Sequence, residues 1–142
     1  QRIARQISCT RAGGSQAGMS HNATRLSDYL AHILEAMDRI ARYTAGLDAS
    51  SFAGDSLVQD AVIRNLEVIG EASHNIETQC PEFAAAHPEL PLAIAYQMRN
   101  AVAHGYFKVD LDIVWKTIQS DLSAFRVQVQ RARDKLGRDA DA

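Results

Sequence analysis

The chain has 142 residues, 46% of them hydrophobic, with a formal net charge of -2 and a sequence pI of about 6.2. That length suits one domain whose single core buries roughly 70% of the unfolded surface. The charge balance excludes a protein that attracts nucleic acid through its overall charge, so any such binding must use a local patch.

No apolar run reaches membrane-spanning length and no secretory signal is visible, so no membrane contact is expected. Cys9 and Cys80 lie in unlike contexts. They offer neither metal-ligand spacing nor a disulfide framework, which fits a reducing, cytoplasmic location. Residues 1–19 read as a flexible leader or upstream extension, because Gly13, Gly14 and Gly18 break any periodicity. Met19 is a candidate start.

The first helix is expected from Ser20 to Thr24 onward. Leu26, Leu30, Ile33, Met37 and Ile40 recur at steps of four and three, which marks one buried face. It ends near Gly46. Leu47 to Gly54 reads as a loop, with Phe52 pinned into the core. Ser56 and Gln59 have capping-box spacing and open a second helix. Its inner face is Val58, Val62, Leu66, Ile69, Ala72 and Ile76. Asn65, Glu71 and His74 lie close to that face, and solvated surface is the simplest reading of His74. Gly70 costs helix stability relative to alanine, and close approach by another helix would explain it.

Cys80-Pro81 ends this helix, and a short helical turn and bend follow as far as Pro91. Pro91 suits the first turn of a third helix, with Ile94, Met98 and Val102 as inward candidates. Asp110 is a good N-cap for a fourth. Leu111, Trp115, Ile118, Leu122, Phe125, Val129, Ala132 and Leu136 then form a regular four-three seam. Residues 137–142 read as a frayed tail. The expected fold is an all-α bundle of three long helices and one shorter one, spanning residues 20–136.

Chemistry concentrates in one stretch, Gln97-Met98-Arg99-Asn100-Ala101-Val102-Ala103-His104-Gly105-Tyr106-Phe107. Arg99 and Asn100 fall late in the third helix, His104 at its end, and Gly105 is the natural stop. Arg99 and His104 sit about 140° apart around the axis, so a shared target must lie at the helix end. No phosphate loop, paired carboxylate site or metal-ligand cluster is visible. Arginine's planar fork suits a phosphate and its transition state, and histidine moves protons near neutral pH. Together they suffice for metal-independent RNA cleavage. One imidazole takes the proton of the ribose 2′-hydroxyl, the oxygen attacks phosphorus, and arginine offsets the developing charge. The helix C-terminus opposes a phosphate, and Lys108 is a candidate helper. A symmetric dimer would supply a second imidazole as the acid. Taken alone, the residues favour a structural role, in which Arg99 and His104 cap carbonyls or pair with a carboxylate such as Glu71, and Tyr106 packs with its hydroxyl in water.

The motif Arg-Asn, three residues, His, one residue, Tyr, followed by Phe107 and Val109-Asp110-Leu111, resembles the HepT family of HEPN-domain toxins. Asp28-Tyr29-Leu30 with Ile33-Leu34-Glu35-Ala36, Gln59 to Glu67, and Ile69-Gly70-Glu71-Ala72 are similar to that family's first two helices. The resemblance implies an all-α, up-and-down, four- to five-helix HEPN-like bundle that forms a homodimer, with the Arg and His motif facing a cleft between protomers. It implies an endoribonuclease toxin of a type VII-like toxin–antitoxin system, paired with an MNT-type nucleotidyltransferase antitoxin. Arg99 and His104 map onto the catalytic pair and Asn100 onto the polar position after the arginine. Tyr106 maps onto the tyrosine that the antitoxin modifies with AMP from ATP. Glu71, Asn65 and Lys108 are candidate supporting residues. No metal or cofactor is expected on this chain. The alternative is a non-catalytic helical module that docks the nucleotidyltransferase and is its substrate.

Overall fold

A computed structural model describes the backbone of residues 16–103 and 110–141, with side chains over 24–102 and 110–139. Every element among them is helical. Helix α1 spans Gln16–Thr44, α2 Ala49–Ala53, α3 Ser56–Gln79, α4 Pro81–Ala86 and α5 Leu92–Ala103. The last rod runs through α6 (Leu111–Lys116), a π turn (Thr117–Asp121) and α7 (Leu122–Asp141). The long helices pack in the order α7, α1, α3, α5, so α3 is central and α5 lies against it.

The seam expected on α1 is fully used: Leu26, Leu30, Ile33, Met37 and Ile40 are all buried. They meet Val62, Leu66, Ile69, Ala72 and Ile76 of α3 in one core. Burying each of the larger aliphatics contributes about 1.5–3 kcal/mol. Hydroxyls and amides that enter the core bond to their own helix. Ser73 Oγ donates to Ile69 O at 2.7 Å, Thr44 Oγ1 to Ile40 O at 2.8 Å, and Asn65 Nδ2 to Ala61 O at 2.8 Å. That removes the penalty of burying them unpaired.

Several expectations change in detail. Helix α1 begins at Gln16, inside the segment expected to be a leader, and residues 1–15 lie outside the described ones. Residues 137–141 are helical rather than frayed. Gly137 costs only about 1 kcal/mol there, and its neighbours are compatible with a helix. The supposed loop after Gly46 contains α2, started by Asp48, whose carboxylate accepts from Ser51 N at 2.8 Å. Phe52 of α2 is buried as expected and meets Trp115 at 5.1 Å between ring centroids.

The cap of α3 is Asp55, not Ser56, because Asp55 Oδ1 accepts from Val58 N at 3.1 Å. Gln59 instead donates to Phe52 O and Ala53 O, tying α3 to α2. Ile94 is exposed, not inward. His74 is not merely solvated: it stacks on Tyr96 with centroids 3.9 Å apart. Cys80 is buried, and Cys9 lies outside the described residues.

The fourth rod departs from its regular seam at the π turn. Val114, Ile118 and Leu122 are buried at successive steps of four, and the three-four alternation resumes with Phe125 and Val129. A wider turn keeps two consecutive steps of four on one side. Thr117 Oγ1 donates to Ile113 O and Ser120 Oγ to Lys116 O, giving these turn carbonyls local partners.

Candidate active site

The site is built where α5 crosses α3. Gly70 makes the crossing possible. A Cβ at Gly70 would collide with Arg99 Cβ and lie 2.8 Å from Ala95 O. The missing side chain therefore lets α5 sit against α3, with Arg99 directly over the glycine. This is the close approach that the lone glycine suggested.

One residue further along α3, Glu71 reaches the guanidinium. Arg99 Nε lies 3.3 Å from Glu71 Oε2, and Arg99 Nη1 donates to Asn100 Oδ1 at 2.9 Å. Both members of the ion pair keep solvent contact, so its value lies in orientation more than in stability. The two contacts leave Arg99 Nη2 without a partner among the described residues. Arginine carries five N–H donors, so a fork remains for an anion.

The guanidinium opens onto a groove of about 540 Å³ between α1, α3 and α5. Tyr29 and His32 of α1 line one wall, and Arg64, Glu67, Glu71 and Asn75 of α3 line the other. Tyr29 is fixed by its hydroxyl, which donates to Gln79 Oε1 at 3.0 Å. Among the described residues no group of three or more His, Cys, Asp or Glu side chains could hold a metal ion.

The structure thus brings together Arg99, Asn100 and Glu71. It does not bring Asn65 to them: that side chain is buried and bonded to its own helix. His104, Tyr106 and Lys108 lie outside the described residues. Sequence reasoning passed over His32 and Arg64. The signal for Arg64 was present, since Arg64, Glu67, Glu71 and Asn75 recur at steps of three and four and form a polar stripe on α3.

The ribonuclease HepT-like family model matches residues 33–132, a span that contains Gly70, Glu71, Arg99 and Asn100. The chain belongs to that family. It is 39% identical over 106 residues to "Probable ribonuclease HepT" of Thermococcus cleftensis, covering 75% of this chain and 94% of that one. It is 32% identical over 107 residues to a "Putative RNase" of Caldanaerobacter subterraneus subsp. tengcongensis, covering 75% and 93%. A longer relative, "Gamma-glutamylcyclotransferase and putative RNase" of Methanocaldococcus jannaschii, is 32% identical over 108 residues, and the match spans 47% of its length. No solved structure matches the chain. The family match begins at Ile33, within α1, and ends at Ala132, within α7, so it takes in the helical core that positions Arg99. None of the described HepT-like helices is long and apolar enough to cross a membrane.

Proposed function

We propose that this HepT-like chain is a metal-independent endoribonuclease toxin. The observation that carries the reading is Arg99, anchored by Glu71 and Asn100 with its remaining donors toward a polar groove. Membership of a ribonuclease family supplies the reaction class. In this reading His104 takes the proton of a ribose 2′-hydroxyl. The 2′-oxygen attacks the adjacent phosphorus, and the bond to the 5′-oxygen breaks. A second imidazole, His104 of a symmetric homodimer, protonates that leaving oxygen. Arg99 offsets the charge on the phosphorane oxygens, and Asn100 holds the guanidinium in place.

Tyr106 is the control point in the same proposal. Its hydroxyl attacks the α-phosphorus of ATP on an MNT-type nucleotidyltransferase antitoxin, releasing pyrophosphate and a proton. The attached AMP brings a phosphate and bulk beside the site and repels RNA phosphates. The non-catalytic reading, a docking module for the nucleotidyltransferase, draws on the same internal ties of Arg99, which a structural arginine would also make.

Incubation of the purified protein with single-stranded RNA and a chelator separates the two. Cleavage to products ending in cyclic phosphate, lost in Arg99→Ala and His104→Ala, supports the nuclease. Equal cleavage by wild type and both variants would overturn it. AMP on wild type but not on Tyr106→Phe, read by mass spectrometry after reaction with the partner and ATP, supports the control point.

A further inference from the structure

The groove at Arg99 holds a second arginine that the cleavage reaction does not use. Arg64 is exposed and makes no ion pair or hydrogen bond among the described residues. It stands seven residues before Glu71, two turns back on the same face of α3. That places it about 10 Å along the axis from the residue that anchors Arg99. Arg39 and Arg126 are neutralised locally, by Glu35 at 2.7 Å and by Asp38 at 2.8 Å. Arg64 shares its lack of a partner among the described residues with Arg42, Arg131, Arg133 and Arg138, and what sets it apart is its place on the groove at Arg99.

We propose that the groove is a subsite for the single-stranded RNA neighbouring the scissile phosphate, in which Arg64 grips a second backbone phosphate. The proposal rests on the nuclease reading and adds the path of the strand. That offset of about 10 Å along α3 is of the order of one or two extended nucleotides. The groove's volume falls within the range of small-molecule pockets, so a nucleoside can enter it.

The charges in the groove decide what kind of contact this is. Arg64 and Arg99 face Glu67 and Glu71, so the formal charges of these four cancel. Bulk attraction for a polyanion is therefore weak here, and binding depends on directed hydrogen bonds from the arginine forks. Glu71 is already turned to Arg99. Glu67 and the Asn75 amide remain on the wall as acceptors for base N–H groups, which only an unpaired strand presents. Duplex RNA keeps those edges in its stack.

A 2′-O-methyl RNA oligonucleotide, which lacks the attacking hydroxyl, measures binding independently of cleavage. Its affinity, by fluorescence anisotropy over a series of salt concentrations, should fall about tenfold in Arg64→Ala, uniformly across sequences. The slope of log affinity against log salt should shrink by about 0.7, the release expected for one phosphate on a single strand. Arg64→Lys should keep the slope, because it keeps the charge. Unchanged affinity and slope in Arg64→Ala would overturn the subsite, as would stronger binding of duplex than of single strand. Cleavage of unmodified RNA is read in parallel. Arg99→Ala losing cleavage while Arg64→Ala binds normally sinks the subsite alone. Arg99→Ala and His104→Ala cleaving like wild type sinks the nuclease reading itself.

Discussion

Gly70 and Arg99 occupy one point of contact between two helices: the space a side chain would need at Gly70 is filled by the Cβ of Arg99. The glycine on α3 is thus part of how the arginine on α5 is placed. In an ordinary helix interior, Gly→Ala gains about 1 kcal/mol. Here the sign reverses. The added methyl meets backbone at Ala95 O and the rigid root of Arg99, neither of which can swing aside. Gly70→Ala is expected to destabilise the fold by about 1–3 kcal/mol, the usual cost of overpacking. Urea denaturation measures it. RNA cleavage should fall further than the fraction unfolded explains, because Arg99 is displaced.

Glu71 has two opposed effects on a phosphate at Arg99. It anchors the guanidinium through Nε, and it presents a negative charge beside the groove. Glu71→Gln keeps the shape and removes the charge. Because the pair is part-exposed, stability should change by less than about 1 kcal/mol. The kinetic constants should split. We expect kcat to fall roughly tenfold as the guanidinium loses its anchor, about 1.4 kcal/mol of transition-state stabilisation. KM should stay level or fall as repulsion of RNA is relieved. A rise in KM with unchanged kcat would show that Glu71 acts on substrate binding instead.

The helices were legible because their apolar periodicity is strong. Every seam position from Leu26 to Ile40 is buried, and Val62 to Ile76 follow the same rule. The site was half legible. Arg99 and Asn100 announce themselves as polar residues near a helix end, and Glu71 was already a candidate partner. Arg64 and His32 were not found, because a polar stripe on a helix is ordinarily solvated surface and only the neighbouring helices turn it into a groove. Three other misses have local causes. A five-residue helix is too short for periodicity to reveal α2. Ile94 has the right spacing on α5 but no helix among the described residues covers it. The π turn alters the phase of the seam inside an unbroken hydrophobic pattern.

Asp48 gives a pH-dependent test of the α2 start. Hydrogen bonds from the Ser51 side chain and backbone hold its carboxyl below the ordinary aspartate value of 3.8. A depressed folded-state pKa means stability that is present above the unfolded value and lost as pH falls through the folded one. Asp48→Ala should therefore lower the Tm at neutral pH. The gap from wild type should close as the pH drops below 3.8. Thermal melts at neutral and acidic pH check both parts. A gap that persists at acid pH would assign the effect to something other than the ionised cap.

Phe52 links α2 to the rod that begins beyond the candidate active-site motif. It is buried and packs at a 35° tilt on Trp115, whose own helix starts immediately after the segment that holds Tyr106. Phe52→Ala removes a large core side chain and should cost about 3–5 kcal/mol. The loss should fall first on α6, because its contact with α2 is made through this ring pair. Hydrogen exchange offers the measurement. Amides of α6 should lose protection more than those of α1, whose seam against α3 does not involve Phe52. Equal loss in both helices would mean that α2 and α6 unfold only with the whole bundle, and that the ring pair holds no local unit of its own.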